Sequence, residues 1–98
     1  MIYYVSHICL NGKEDIKKAT TITHDLQVKD LANCYVCPLL TFSHFGNEKI
    51  ECDDDKIELR LDLLSCADKL IVASEIGADV QMEIDFAKLI GMEIQYLD

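Results

Sequence analysis

The 98-residue chain has no tryptophan, a single proline (Pro38), four glycines, and only 9 basic residues against 18 acidic ones. The shortage of positive charge, a formal net charge of −9, argues against nucleic acid or an anionic membrane surface as partner, because both require clustered Lys and Arg. No apolar run approaches the roughly 20 residues of a membrane span, and an apolar run begins almost at Met1 with no cationic leader before it. Neither insertion nor secretion is therefore expected, and the expected location is cytoplasmic. A disulfide framework is missing too. Cys9, Cys34, Cys37, Cys52 and Cys66 form an odd set without framework spacing, and several occupy apolar positions where reduced Cys behaves as a small hydrophobe. The pair in Cys34-Tyr35-Val36-Cys37 has the spacing of a zinc or redox motif, but it falls in an apparent strand that would send the thiols to opposite faces. No metal and no cofactor are expected.

What is present is hydrophobic content, 50% of the residues. A chain of this size is expected to form one domain over residues 1–98 and to bury roughly 60–65% of its extended-chain surface. That leaves little room for a closed pocket, so a site would be an open cleft or one finished by a second subunit. Met1 to Val5 is a β-branched and aromatic run with the character of a central strand, ending at polar Ser6-His7. Asn11-Gly12-Lys13-Glu14 has capping-box spacing and opens a helix whose stripe of Ile16, Ala19, Ile22, Thr23 and Leu26 faces inward, with Lys17, Lys18, Asp25 and Lys29 outside. Asn33 to Cys37 reads as a short strand closed by Pro38. From Leu39 to Cys52 no period is visible, and Thr41-Phe42-Ser43-His44-Phe45-Gly46 suits either a lid over a ring-shaped ligand or a loop packed on the core.

Asp53-Asp54-Asp55 places carboxylates where a helix dipole favours them, and Asp55 is the expected cap of a helix from Lys56 to about Ala67. In that segment Ile57, Leu59, Leu61, Leu63 and Leu64 also alternate as in a strand; helix-favouring composition and a length of about twelve residues decide for helix. Apolar groups then cover more than one face, and the helix carrying Val80, Met82, Ile84, Phe86, Ala87, Leu89 and Ile90 has the same surplus. Burial of both between subunits, in a homodimer or larger homo-oligomer, accounts for the excess.

Lys69 to Ala73 and Glu93 to Leu97 are the remaining strands, and Gly91 marks the end of the helix between them. The string βαβαβαβ with right-handed crossovers predicts an α/β three-layer sandwich, flavodoxin/Rossmann-like, around a small parallel sheet in order 2-1-3-4. Ligands of such sheets bind beyond the carboxyl ends of the strands, at the switch point between strands one and three. Ser6 and His7 are thereby brought to the Ser74-Glu75-Ile76-Gly77-Ala78-Asp79 loop. Glu83 lies about one turn into the following helix and Asp79 four residues before it on the same face, so two carboxylates point one way. On base rates such acids are helix caps or solvated groups, with Asp79 as N-cap. His7 is a candidate for protonating or stacking on a ligand ring. Tyr3 and Tyr4 face opposite sides, which makes Tyr4 a candidate to line the cleft, and Asp55, Ser74 and Gly77 are candidate ligand contacts at helix starts.

Ile2-Tyr3-Tyr4-Val5-Ser6, Leu61-Asp62-Leu63-Leu64-Ser65-Cys66-Ala67-Asp68, and Met82-Glu83-Ile84-Asp85-Phe86-Ala87-Lys88 with Ile90-Gly91-Met92-Glu93-Ile94 together resemble the nucleoside 2-deoxyribosyltransferase-like superfamily, in a short prokaryotic and phage branch. The resemblance spans nearly the whole chain. It implies a nucleoside or nucleotide as small-molecule partner and Glu83 as a nucleophile that attacks the anomeric carbon. The base leaves, and an acceptor base or water then attacks the glycosyl-enzyme. A carboxylate nucleophile suits this chemistry because it divides one difficult displacement at an oxocarbenium-like centre into two. The departing base needs a proton, for which Asp79 is the nearest acid by spacing. Hydrolysis of a nucleoside 5′-monophosphate is the related possibility, with Ser6, Ser74 or helix-start amides holding the phosphate. The alternative of another class is a module of the same fold that binds a nucleotide or small molecule without turning it over. The apolar surplus of the two helices has its own test: a sizing measurement at micromolar concentration should return a dimer or larger species, and a monomer would contradict burial of that surplus between subunits.

Overall fold

A computed structural model describes residues 1–8, 13–38 and 53–97. Among these the order is β1 (Ile2–Ser6), α1 (Lys13–Lys29), β2 (Cys34–Val36), α2 (Asp53–Ser65), β3 (Lys69–Val72), α3 (Ala78–Leu89) and β4 (Glu93–Tyr96). All strand pairs are parallel and the sheet order is β2-β1-β3-β4. This is the order expected from right-handed crossovers. The stretch Thr41 to Gly46, with its lid or packed-loop alternatives and His44, lies outside the described residues, as do the Asn11 cap, Cys9 and Cys52.

Register sorts the side chains onto two faces. Tyr4 pairs with Val36 and Leu70, and Leu70 with Ile94, so these four share a face. Against it pack Leu64 of α2 and Val80, Ile84 and Ala87 of α3, all buried. On the other face Val5 and Cys37 pack with Ala19 and Leu26 of α1. Three layers result because α1 crosses on one side and α2 and α3 on the other. The inward stripe of α1 is as the spacing predicts, with Ala19 and Thr23 buried and Lys17, Lys18, Asp25 and Lys29 exposed.

Two helix boundaries differ from expectation. α2 is already helical at Asp53, so Asp55 sits within a helical turn instead of capping it. At its other end α2 stops at Ser65, where Cys66 and Ala67 donate to Leu63 and Leu64 carbonyls at 3.1 and 3.0 Å in the tighter i to i−3 pattern. α3 ends as predicted at Gly91, whose φ of 73° lies in the left-handed region and lets Met92 donate back to the Ala87 carbonyl at 2.8 Å.

Much of the apolar surplus of α2 and α3 is used within the chain: Leu61, Leu63 and Phe86 pack on the sheet-facing core. Leu59 and Leu89 remain 37% and 83% exposed. Among the described residues no helix is long and apolar enough to cross a membrane.

A polar knot joins α1 to β2. The Gln27 amide donates to the Asp30 and Asn33 carbonyls at 3.0 and 2.7 Å and its oxygen accepts from the Tyr35 amide at 2.9 Å. Asp30 Oδ2 accepts from Asn33 Nδ2 and from the Tyr35 hydroxyl, each at 2.7 Å. These bonds hold the Asp30 carboxyl below its usual range, with Asn33 and then Tyr35 contributing most. Replacing Gln27→Ala removes three bonds that place the edge strand and should cost about 1–2 kcal/mol. A thermal melt should show this as a fall of about 4–8 °C per kcal/mol for a domain of this size, and an unchanged Tm would show the knot to be ornamental.

Candidate functional site

The inward stripe of α3 runs Val80, Ile84, Ala87, and Glu83 falls inside that stripe, so burying the helix buries its carboxylate. Glu83 is 2% exposed. What receives it comes from two other elements. Ser6, at the carboxyl end of β1, shares the face of Tyr4, and its hydroxyl donates to Glu83 Oε1 at 3.0 Å. Arg60, from α2, reaches between the two acids of α3: one guanidinium nitrogen lies 3.6 Å from Glu83 Oε1 and the other 3.5 Å from Asp79 Oδ2. The one-turn spacing of Asp79 and Glu83 does put both carboxylates on one side, where Arg60, Leu61, Asp79, Met82 and Glu83 enclose a cavity of about 10 Å³. Asp79 opens to solvent, its side chain 54% exposed, whereas that of Glu83 is 3% exposed.

Four atoms of this cluster are buried with no hydrogen bond of good geometry: Glu83 Oε2, the Tyr4 hydroxyl, and Arg60 Nε and Nη2. Buried polar groups of this kind are costly, and their concentration at one place makes this cluster the candidate site. Burial raises the Glu83 pKa; the Arg60 charge and the nearby Tyr4 and Ser6 hydroxyls offset part of that rise, and the net displacement is upward. Burial, then the Glu83 charge, also pushes the Tyr4 hydroxyl far above the usual tyrosine range. Burial, the largest single effect, would lower Arg60, but Glu83, Tyr4 and Asp79 together outweigh it and the guanidinium stays charged. Within this pair the group that titrates is therefore Glu83.

The remaining sequence candidates divide between two faces. His7 follows Ser6 and turns to the opposite side, where it is buried with Nδ1 2.7 Å from the Ile8 carbonyl, the distance of an Nδ1–H donor. There it lines an open cleft of about 580 Å³ with Asp15, Lys17 and Lys18 of α1 and with Ser74 and Glu75 beyond β3. Ser74 ties the two strand ends together, accepting from the Ile8 amide at 2.8 Å and donating to the Glu75 carbonyl at 2.9 Å. The Ala73 amide adds a bond to the Ser6 carbonyl at 2.9 Å. The two loops thus converge as the strand order requires. Gly77 caps α3 with extended backbone, and a Cβ there would stand 2.6 Å from Ile8 Cδ1, so its lack of a side chain admits Ile8. Tyr4 belongs to the Glu83 cluster. The Asp55 side chain lies outside the described residues.

Sequence reading passed over Arg60. It stands in Leu59-Arg60-Leu61 and reads as one more helix-favouring residue, although it is the only arginine in the chain. Asp15 was also passed over; it is 4% exposed on α1.

Helices on both faces of a four-stranded parallel sheet, with a buried acid beyond the carboxyl end of its first strand, define a class of α/β domain that places small-molecule sites at this edge. A solved structure described as a 2-desoxiribosyltransferase from Leishmania mexicana has this fold: it matches with a TM-score of 0.72 and 12% sequence identity over 98% of this chain. The chain spans 63% of that protein's length. No family model and no curated protein matches the sequence.

The raised Glu83 pKa has a definite sign in stability. An acid whose native pKa lies above its unfolded value of about 4.3 supports the fold below that value, and the support is lost as pH rises through the native pKa. Urea unfolding of wild type and Glu83→Gln across the acid-to-neutral range should show wild type losing stability relative to the variant as pH rises. Parallel curves would mean that Glu83 does not titrate with a raised pKa.

Proposed function

We propose that this chain acts on the N-glycosidic bond of a small nucleoside or nucleotide, by deoxyribosyl transfer or by hydrolysis, with Glu83 as the nucleophile. The observation that carries the reading is the Glu83 carboxylate itself: Oε1 accepts from Ser6 and faces Arg60, while Oε2 is buried with no hydrogen bond of good geometry. The likeness in fold to a 2-desoxiribosyltransferase supports a nucleoside as the substrate class. Oε2 forms a bond to the anomeric carbon as the C–N bond breaks, and the electron pair leaves with the base, which takes a proton. This reading assigns the proton to Asp79, one turn before Glu83, which must take up a proton and leave its ion pair with Arg60 to deliver it. In the second step a nitrogen of an acceptor base, or water, attacks the same carbon and loses its proton, and the Glu83 carboxylate is released. The working species in this reading is a cytoplasmic homo-oligomer that takes neither nucleic acid nor membrane as partner.

A second reading, a module that binds a nucleoside or nucleotide without turnover, draws on the size of the space. The cavity at Glu83, about 10 Å³, holds about one water molecule, and the larger cleft opens on the other face of the sheet. Catalysis then requires the Met82 side chain at this cavity to move aside for the sugar.

Incubation with mixed 2-deoxynucleosides, their monophosphates and a free base should release or exchange base. Glu83→Gln should reduce that rate by at least about 10³-fold, since it removes the bond-forming group. Equal turnover by the variant would remove Glu83 from the chemistry. No turnover by wild type, joined to a ligand-dependent rise in Tm, would establish the binding module.

A further inference from the structure

We propose that Arg60 is a positioning residue, whose guanidinium holds the Glu83 carboxylate ionised and, by engaging Oε1 together with Ser6, leaves Oε2 as the oxygen presented for reaction. The inference rests on the nucleophile reading for the word reaction, but its geometry stands apart from it. Glu83 is reached by charged or titratable groups from three elements: Tyr4 of β1, Arg60 of α2, and Asp79 on its own helix. From β3 only apolar Leu70 and Val72 share this core. Arg60 is therefore the one positive charge at the carboxylate among the described residues.

The two oxygens of Glu83 are not equivalent. Oε1 has the Ser6 hydroxyl at 3.0 Å and an Arg60 nitrogen at 3.6 Å; Oε2 has neither and is fully enclosed. A carboxylate engaged from one side keeps its remaining lone pairs on the other oxygen, which is the arrangement a nucleophile needs. Arg60 is itself held by a second acid, Asp79 at 3.5 Å, at nearly the same distance. The exposed acid thereby anchors the guanidinium against the buried one, and Asp79 acts on Glu83 through Arg60. Removing Arg60 leaves a buried carboxylate without a counter-charge, a situation that proteins meet by protonation or by unfolding.

The test reads Glu83 without relying on activity. With the glutamates labelled at the side-chain carboxyl carbon, and the Glu83 resonance assigned by its loss in Glu83→Gln, NMR titration of wild type and Arg60→Gln should show the Glu83 midpoint rising by about 1–3 pH units in the variant. Arg60→Lys, which keeps the charge but not the fork, should restore most of the midpoint. An unchanged midpoint in Arg60→Gln overturns the proposal. If Arg60→Gln does not fold at neutral pH, the double variant Arg60→Gln/Glu83→Gln decides: recovery of folding supports the pairing, and a double variant as unstable as the single one overturns it. Turnover separates the two readings. A shifted midpoint with no turnover by wild type keeps Arg60 in its role and removes the enzymatic reading. Turnover lost in Arg60→Gln at neutral pH and regained at higher pH supports both, whereas turnover with an unshifted midpoint removes Arg60 alone.

Discussion

A carboxylate taken out of water costs several kcal/mol unless a counter-charge and hydrogen bonds compensate it, and the placement of Glu83 depends on that compensation. Two elements far from α3 in sequence supply it: β1, through the Ser6 and Tyr4 hydroxyls, and α2, through Arg60. The compensation is incomplete, since Glu83 Oε2, the Tyr4 hydroxyl and two Arg60 nitrogens lack hydrogen bonds of good geometry. A cluster that served only stability would be replaced by apolar packing at little cost or at a gain. The price of keeping it is an argument for chemistry or binding at this position.

The sheet explains why the candidates separate. Alternation along β1 sends Tyr4 and Ser6 toward α2 and α3 and sends Val5 toward α1, with His7 continuing on the α1 side. Residues adjacent in sequence therefore serve two spaces, a tight charged cluster on one face and an open cleft on the other. The Ile8 to Ser74 and Ala73 to Ser6 bonds lace the strand ends between them. Gly77 contributes by having no side chain where Ile8 crosses.

Likeness in fold at 12% identity is consistent with this division. A parallel sheet buried on both faces asks only for apolar residues at the right parity, and many sequences meet that demand. The site asks for particular atoms at particular distances, and it is there that this chain has an arginine lying between two acids.

Patterns with a local cause were legible from the sequence. The α1 stripe, the strand order that follows from βαβ handedness, the helix end at Gly91 and the one-turn spacing of Asp79 and Glu83 all follow from period, chirality and steric freedom within a few residues. The helical character of the Leu59 to Leu64 segment was legible too, because composition outweighed its alternation. The neighbours of Glu83 were not. Arg60 in Leu59-Arg60-Leu61 carries no local mark of burial, and Ser6 carries none of facing Glu83 rather than the cleft. Those facts depend on where α2 crosses the sheet and on which parity of β1 meets it, and only tertiary packing sets both. By itself the sequence determined the scaffold and the pair of acids on α3; the fold decided that one acid is enclosed beside an arginine and the other left at the surface, because burial belongs to the assembled layers and not to any one segment.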